Sequence, residues 1–313
     1  MKKYLLPEKG VFYKANLHCH SNCSDGTKTP KALIKMYRDN GYSVVALTDT
    51  EKLFDADLCE DSFVLLRGME IEFTESVEEF EDARACHLCF LAPEEKMYLD
   101  MPANRTYDAQ FINTMIATAR KQGAFITYNH PTWSQEYYSE YICYDGLHAI
   151  EMFNGHSDTL GYEEYNPRVY DDFLTSGKKV FCVGVDGNYN IAPECSAYCD
   201  SFRAWTQIKA EKLEYSCIFS ALKHGDFYAS EGPEIYELWF EDGQIHILCS
   251  PADMVFCSYG TRRNGRKLSE AGKPVTEAVF TIEPNDRFFR ITVVDENGKR
   301  ACTNAYFAED LFA

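Results

Sequence analysis

The sequence has no apolar run approaching the roughly 20 residues that span a bilayer, so it offers no candidate membrane helix. It is also short of positive charge: 31 Lys+Arg stand against 49 Asp+Glu, a formal net charge of −18. Affinity for a polyanion comes mostly from Lys and Arg that neutralise phosphates, which argues against broad nucleic-acid binding and against an anionic membrane surface. No internal repeat and no low-complexity linker interrupts the chain. Residues 1–8 start basic, but their apolar stretch is too short for a signal peptide. Histidine is scarce, with eight in 313 residues. Cysteine is not: thirteen, an odd number scattered along the chain, read as reduced thiols of a cytoplasmic protein. What remains is a folding composition. A hydrophobic content of 45% with 21 Phe and 21 Tyr excludes disorder, and the length allows one large domain or two of ordinary size.

Residues 1 to about 230 alternate short β-branched runs with helical patterns, which predicts βα units and a mostly parallel sheet. Strands are expected at 13–18, 43–47, 64–73, 86–91, 124–128, 149–153 and 180–185. Thr29-Pro30 opens a helix with Leu33, Met36 and Tyr37 on one face and Gly41 as terminator, and a second helix spans about 108–122. Past residue 230 the runs become short strands separated by Glu241-Asp242-Gly243, Asn264-Gly265 and Glu296-Asn297-Gly298 turns. The organisation read from this change is an α/β domain over 1–232 and an antiparallel β-sandwich over 233–313.

Four of the eight histidines fall with apolar strands, whereas His148, His156, His224 and His246 show no such convergence and carry no assignment. His18 and His20 flank Cys19 at a strand end, and alternation puts residues i and i+2 on one face, so both imidazoles can meet one ion. Glu70 follows Val64-Leu65-Leu66; His87 sits in Cys86-His87-Leu88-Cys89-Phe90; His130 follows Phe125-Ile126-Thr127-Tyr128-Asn129. Asp49 ends Val44-Val45-Ala46-Leu47-Thr48, and Asp186 ends Val180 to Val185. Metal-type donors on so many apolar strands need a compensating ion, because a buried unpaired carboxylate costs several kcal/mol. Cys86 and Cys89 form a C-x-x-C, but in a strand they point to opposite faces, which argues against a structural zinc between them.

These residues resemble a known family. His18-Cys19-His20-Ser21, Ser24-Asp25-Gly26, Thr48-Asp49-Thr50, Gly68-Met69-Glu70, His87, Asn129-His130-Pro131 and Gly184-Val185-Asp186-Gly187-Asn188 match, in order and spacing, the polymerase and histidinol phosphatase (PHP) metal-dependent phosphoesterases over roughly residues 11–230. The tail, with Phe227-Tyr228-Ala229-Ser230-Glu231-Gly232-Pro233, is similar to a two-domain bacterial subgroup. The resemblance implies a distorted (β/α)7 barrel, related to TIM barrels, with a metal cluster at its C-terminal mouth. It implies a first metal on His18, His20, Glu70 and Asp186, and a second sharing Glu70 and adding His87 and His130. Relatives with a third metal carry ligands where Asp25, Thr50 and Asn188 stand. Thr and Asn are poor ligands for a transition metal, so two divalent ions (Zn, Mn or Fe) are expected rather than three.

A binuclear site of this kind, with ions about 3.5–4 Å apart, lowers the pKa of a bridging water and offsets charge on a phosphoryl group. Asp49 is expected to orient a ligand or water, and Arg203 is a candidate clamp for a substrate phosphate. Trp133 and Asn154 are candidates for the pocket wall. The acidic run from Glu75 through Glu78, Glu79, Glu81 and Asp82 reads as a solvated loop or as a screen against strongly anionic substrates. The expected activity is hydrolysis of a small phosphomonoester, without an extended nucleic-acid surface. Residues 233–313 hold 9 Lys+Arg and 13 Asp+Glu, a net of −4, and so lack a compensating basic face. A nuclease acting on short oligonucleotides is the alternative among enzymes. A catalytically weakened metal-binding protein acting through its β domain is the alternative from another class, favoured by Thr50 and Asn188.

Overall fold

The computed structural model describes residues 2–54, 62–76, 83–95, 99–102 and 105–312. The chain opens with β1 (Lys3–Tyr4) and β2 (Val11–Asn16). Helix α1 (Pro30–Asp39) begins where the sequence places it: the Thr29 side chain accepts from Ala32 N, and Pro30 stands at a position that needs no donor. Its buried face is Leu33, Ile34, Met36 and Tyr37. Next come β3 (Val44–Leu47), β4 (Val64–Thr74) and β5 (Ala85–Leu91). Helix α2 (Ala109–Lys121), capped by Asp108, precedes β6 (Phe125–Tyr128). Short helices α3 (Pro131–Ser134) and α4 (Tyr138–Tyr141) lead to β7 (Ala149–Asn154). Helices α5 (Gly155–Thr159) and α6 (Pro167–Thr175) lead to β8 (Phe181–Val185). The half closes with β9 (Trp205–Ala210), α7 (Tyr215–His224) and β10 (Phe227–Ser230).

The sheet order is β10-β9-β2-β3-β4-β5-β6-β7-β8. Pairs β2·β3, β3·β4, β6·β7 and β7·β8 are parallel, but β5 runs antiparallel to both β4 and β6. The mostly parallel expectation therefore needs correction at β5, and also at β9, which runs antiparallel to both β2 and β10. A parallel neighbour requires a long crossover, whereas β4 and β5 are joined as a hairpin, its base held by Glu75 N donating to Arg84 O. The β4·β5 inversion has a functional consequence, because it brings the first half of β5 to the end of the sheet where β2 and β6 finish. At that same end a single parallel bridge joins Cys19 to Asn188, following β2 and β8.

The remaining strands are β11 (Ile235–Glu241), β12 (Gln244–Ala252), β13 (Met254–Ser258), β14 (Asn264–Leu268), β15 (Val275–Thr281), β16 (Phe288–Val294), β17 (Arg300–Thr303) and β18 (Tyr306–Phe307). Asn264-Gly265, expected as a turn, instead begins β14. Gly265 pairs with Cys257, and a Cβ there would lie 2.6 Å from the Phe280 ring, so the strand crosses close over that aromatic. The expected division at 232/233 falls between β10 and β11. Among the described residues two pairings cross it: β1 joins β11, and β17 joins β10 so that the first sheet continues into the second half. Arg290 on β16 makes a two-pronged ion pair with Asp171 on α6 (2.8 and 2.9 Å), and the Tyr170 hydroxyl accepts from Ala305 N at 2.8 Å.

Candidate metal centre

Alternation beyond the end of β2 sends His18 and His20 to one side and Cys19 to the other, where Cys19 packs with Leu33, Tyr37 and Val45. The two Nε2 atoms end 3.1 Å apart. Glu70 on β4 lies between these rings and a second pair. Its Oε1 is 3.3 Å from His18 Nε2, 3.4 Å from His87 Nδ1 and 3.4 Å from His130 Nε2, while its Oε2 is 3.3 Å from His20 Nε2. A tetrahedral ion bound at 2.0–2.1 Å keeps its ligand atoms about 3.3 Å apart, which is the separation found here. Oε2 of Glu70 is buried without a hydrogen-bond donor among the described residues. A buried acceptor among imidazole nitrogens at this spacing suits a cation, so the donor set fits a metal.

The surrounding hydrogen bonds fix which nitrogen each ring presents. Glu151 on β7 accepts from His18 Nδ1 at 2.7 Å, which leaves the Nε2 lone pair toward Glu70. The other Glu151 oxygen accepts from His130 N at 2.7 Å and from Asn154 Nδ2 at 2.8 Å. His130 needs that restraint, since its φ of 27° lies in a region side chains avoid at a cost on the order of 1–3 kcal/mol. The next amides, Thr132 N and Trp133 N, donate to buried Glu164, which completes the turn.

Electrostatics favour positive charge at this point. Burial alone would raise the Glu70 pKa, but His18 and His87 outweigh it and hold the carboxyl well below its usual range. Burial alone would lower the His18 pKa, but Cys89, Glu70 and Glu151 hold it well above. His20 and Glu70 are fully buried, whereas His87 and His130 keep 6% and 7% of their surface, so access is from their side. Trp133 stands against both of those rings, and Tyr189 stacks on His20 at 4.3 Å.

The remaining residues singled out in the sequence are placed elsewhere. Asp186 is held apart from the cluster: its Oδ1 accepts from Arg203 N and Ala204 N, its Oδ2 from Phe202 N and the Tyr37 hydroxyl. Burial nonetheless pushes its pKa up to about 6, against those donors. Asp49 accepts from the amides and hydroxyls of Ser21 and Ser24, and so anchors the loop that follows His20. The Arg203 guanidinium donates to Cys199 O and Ala197 O and pairs with Asp158 at 3.3 Å. Of the three degenerate positions, Asp25 is exposed, Thr50 Oγ1 sits 3.5 Å from His20 Nδ1, and Asn188 Oδ1 accepts from Asn16 Nδ2. Glu78, Glu79, Glu81 and Asp82 lie outside the described residues. Glu151, Glu164 and Cys89 were not singled out as functional from the sequence. A carboxylate inside the apolar run Ala149-Ile150-Glu151-Met152-Phe153 was the available signal for the first.

Residues 16–182 match the family model described as the PHP domain, more than half of the chain. The chain belongs to the PHP domain family. The matched span carries the whole imidazole–carboxylate cluster. No curated protein matches the sequence. Among solved structures, the chain is similar to a two-domain protein from Bacteroides vulgatus described as containing a predicted PHP-like metal-dependent phosphoesterase, at 16% identity, 97% coverage of each chain and a TM-score of 0.46. It is also similar to a candidate metal-dependent phosphoesterase from Bifidobacterium adolescentis (15% identity, 60% of this chain, 91% of that one, TM-score 0.41). A third, an amidohydrolase from Chromobacterium violaceum with bound sulfate and no metal, shows 11% identity over 59% of this chain and 93% of that one, with a TM-score of 0.38.

Proposed function

We propose that this PHP domain is a metal-dependent phosphoesterase whose two divalent ions share Glu70 and act on a small phosphomonoester. The observation that carries the reading is the Glu70 carboxylate, flanked by His18 and His20 on one side and by His87 and His130 on the other. When bound, such ions supply a nucleophile from water at neutral pH and offset charge on the phosphoryl oxygens. The chain's own residues do the rest. Glu151 keeps the His18 proton on Nδ1 and fixes the strained His130 backbone. Tyr189 covers the face of His20 and Trp133 stands across His130 in a T-shaped contact, and both limit water around the rings. His156, on α5, packs against Tyr189 with ring centroids 4.6 Å apart and has Nδ1 held by Asp200, so its Nε2 is our candidate to hand a proton to the leaving oxygen. In this reading the strands β2–β8 serve as the distorted barrel, with the site at one end. The acidic chain then tolerates a phosphate because the ions bring their own charge.

Metal content and turnover of a panel of mono- and diesters with added Mn, Zn or Fe test this. Turnover of small monoesters that disappears in Glu70→Ala and His130→Ala is expected. Robust metal binding without turnover of any ester would overturn the enzyme reading, and turnover of oligonucleotides alone would replace it with the nuclease.

A further inference from the structure

The Glu70 cluster holds one donor that neither the imidazoles nor the carboxylates account for. Cys89 is buried on β5 two residues after His87, so alternation turns both into the same space. Its Sγ, a His18 ring nitrogen and a Glu70 oxygen lie within 4.8 Å of one another. One amide holds thiol and carboxylate together: Asn129 Nδ2 donates to Cys89 Sγ at 3.2 Å and to Glu70 Oε1 at 2.8 Å. Cys89 N in turn donates to Asn129 Oδ1 at 3.3 Å. Cys86, on the opposite face of the same strand, packs with Leu88 and Phe90 in the apolar core, as a cysteine used only for packing does.

Two independent observations point to a ligand at this place. Glu70 Oε2 is buried and has no hydrogen-bond donor among the described residues. Asp186, the anionic ligand the family resemblance would supply, is already committed. An ionised carboxyl offers about four acceptor positions. Four donors, Tyr37 Oη and the amides of Phe202, Arg203 and Ala204, take them at 2.8 to 3.2 Å. A metal here would have to break bonds to gain Asp186, whereas the sulfur of Cys89 already lies beside His18 and Glu70.

We infer that the Cys89 thiolate, rather than the Asp186 carboxylate, is the further anionic ligand of the ion held by His18 and Glu70. Binding replaces the S–H bond by a sulfur–metal bond and releases the proton to solvent. A thiolate is a soft ligand, so the site selects zinc or iron over manganese or magnesium. The inference rests on the metal-centre reading above.

Cobalt loading of the full chain separates the two. The wild type is expected to show a sulfur-to-cobalt charge-transfer band in the near ultraviolet beside the visible cobalt bands. Cys89→Ser loses that band while keeping visible bands, with cobalt affinity reduced roughly tenfold or more; Asp186→Asn keeps the band. X-ray absorption of the zinc-loaded wild type, which needs no variant, is expected to show one sulfur at about 2.3 Å. Cobalt bound without the band, or a band that survives in Cys89→Ser, overturns the role of Cys89 and leaves the metal centre standing. A wild type that binds no cobalt or zinc overturns the metal centre itself.

Discussion

Glu151 is the residue on which the geometry of the cluster turns, and Glu151→Gln is its sharpest perturbation. The carboxylate accepts on both sides at once: one oxygen takes His18 Nδ1 at 2.7 Å, the other takes His130 N at 2.7 Å and Asn154 Nδ2 at 2.8 Å. Glutamine offers one accepting oxygen and one donating nitrogen, so one side must fail. If the oxygen stays with His130, the amide nitrogen faces His18 Nδ1. The imidazole then accepts through Nδ1 and carries its proton on Nε2, which points at Glu70 where a metal lone pair is needed. If the oxygen turns to His18, the buried His130 N–H loses its acceptor at a cost of about 1–3 kcal/mol, and its backbone at φ 27° loses its restraint. Either way the metal suffers. Loss of a partner that orients a ligand lowers metal affinity about 10–100-fold, which converts to roughly 1.4–2.7 kcal/mol. The measurement is competition between the protein and a chelator for zinc, alongside circular dichroism to show that the variant folds. A folded Glu151→Gln protein holding zinc as tightly as wild type would refute the reasoning.

Three further outcomes are expected. Gly26→Ala should lower turnover on the order of a hundredfold, because its Cβ would sit 2.3 Å from His20 O and 2.9 Å from Ser21 O and must push the loop off the site; an unchanged kcat/KM would contradict this. Asp171→Ala should destabilise the protein by about 3 kcal/mol, read as a lower urea midpoint, because Arg290 is left buried without its partner. Burial raises the Glu164 pKa to about 7. Its native state therefore binds more protons than the unfolded chain between about pH 4.5 and 7, so stability falls as pH rises through that window, by about 3 kcal/mol in the limit. Glu164→Gln should flatten that slope in melts taken across the window; an equal slope in both proteins would show that another group sets it.

Much of this molecule follows from local pattern. The strands at β3, β4, β6 and β7 and helices α1 and α2 lie within a residue or two of their expected bounds, since apolar periodicity and caps such as Thr29 and Asp108 act over a few residues. The chain between β17 and β18 breaks at Asn304, whose side chain turns to the carbonyls of Gly225 and Phe227 and to Cys182 N. The strand β14 was missed because Asn-Gly reads as a turn until a neighbouring phenylalanine is known to cover it.

Local pattern sets the donor chemistry: scarce histidines and a glutamate, each on or just past an apolar strand, with His18 and His20 set on one face by alternation alone. Tertiary structure decided which of these donors meet. The inversion of β5 carries His87 and Cys89 to the end of the sheet where β2 and β6 stop, and strand direction is a pairing property that no single segment encodes. The saturation of Asp186 likewise depends on Tyr37 and on the amides of residues 202–204, and Glu151 gains its meaning only opposite His18 and His130. A residue's type sets what it can bind; how many of its lone pairs are already taken is set by groups far away in the chain.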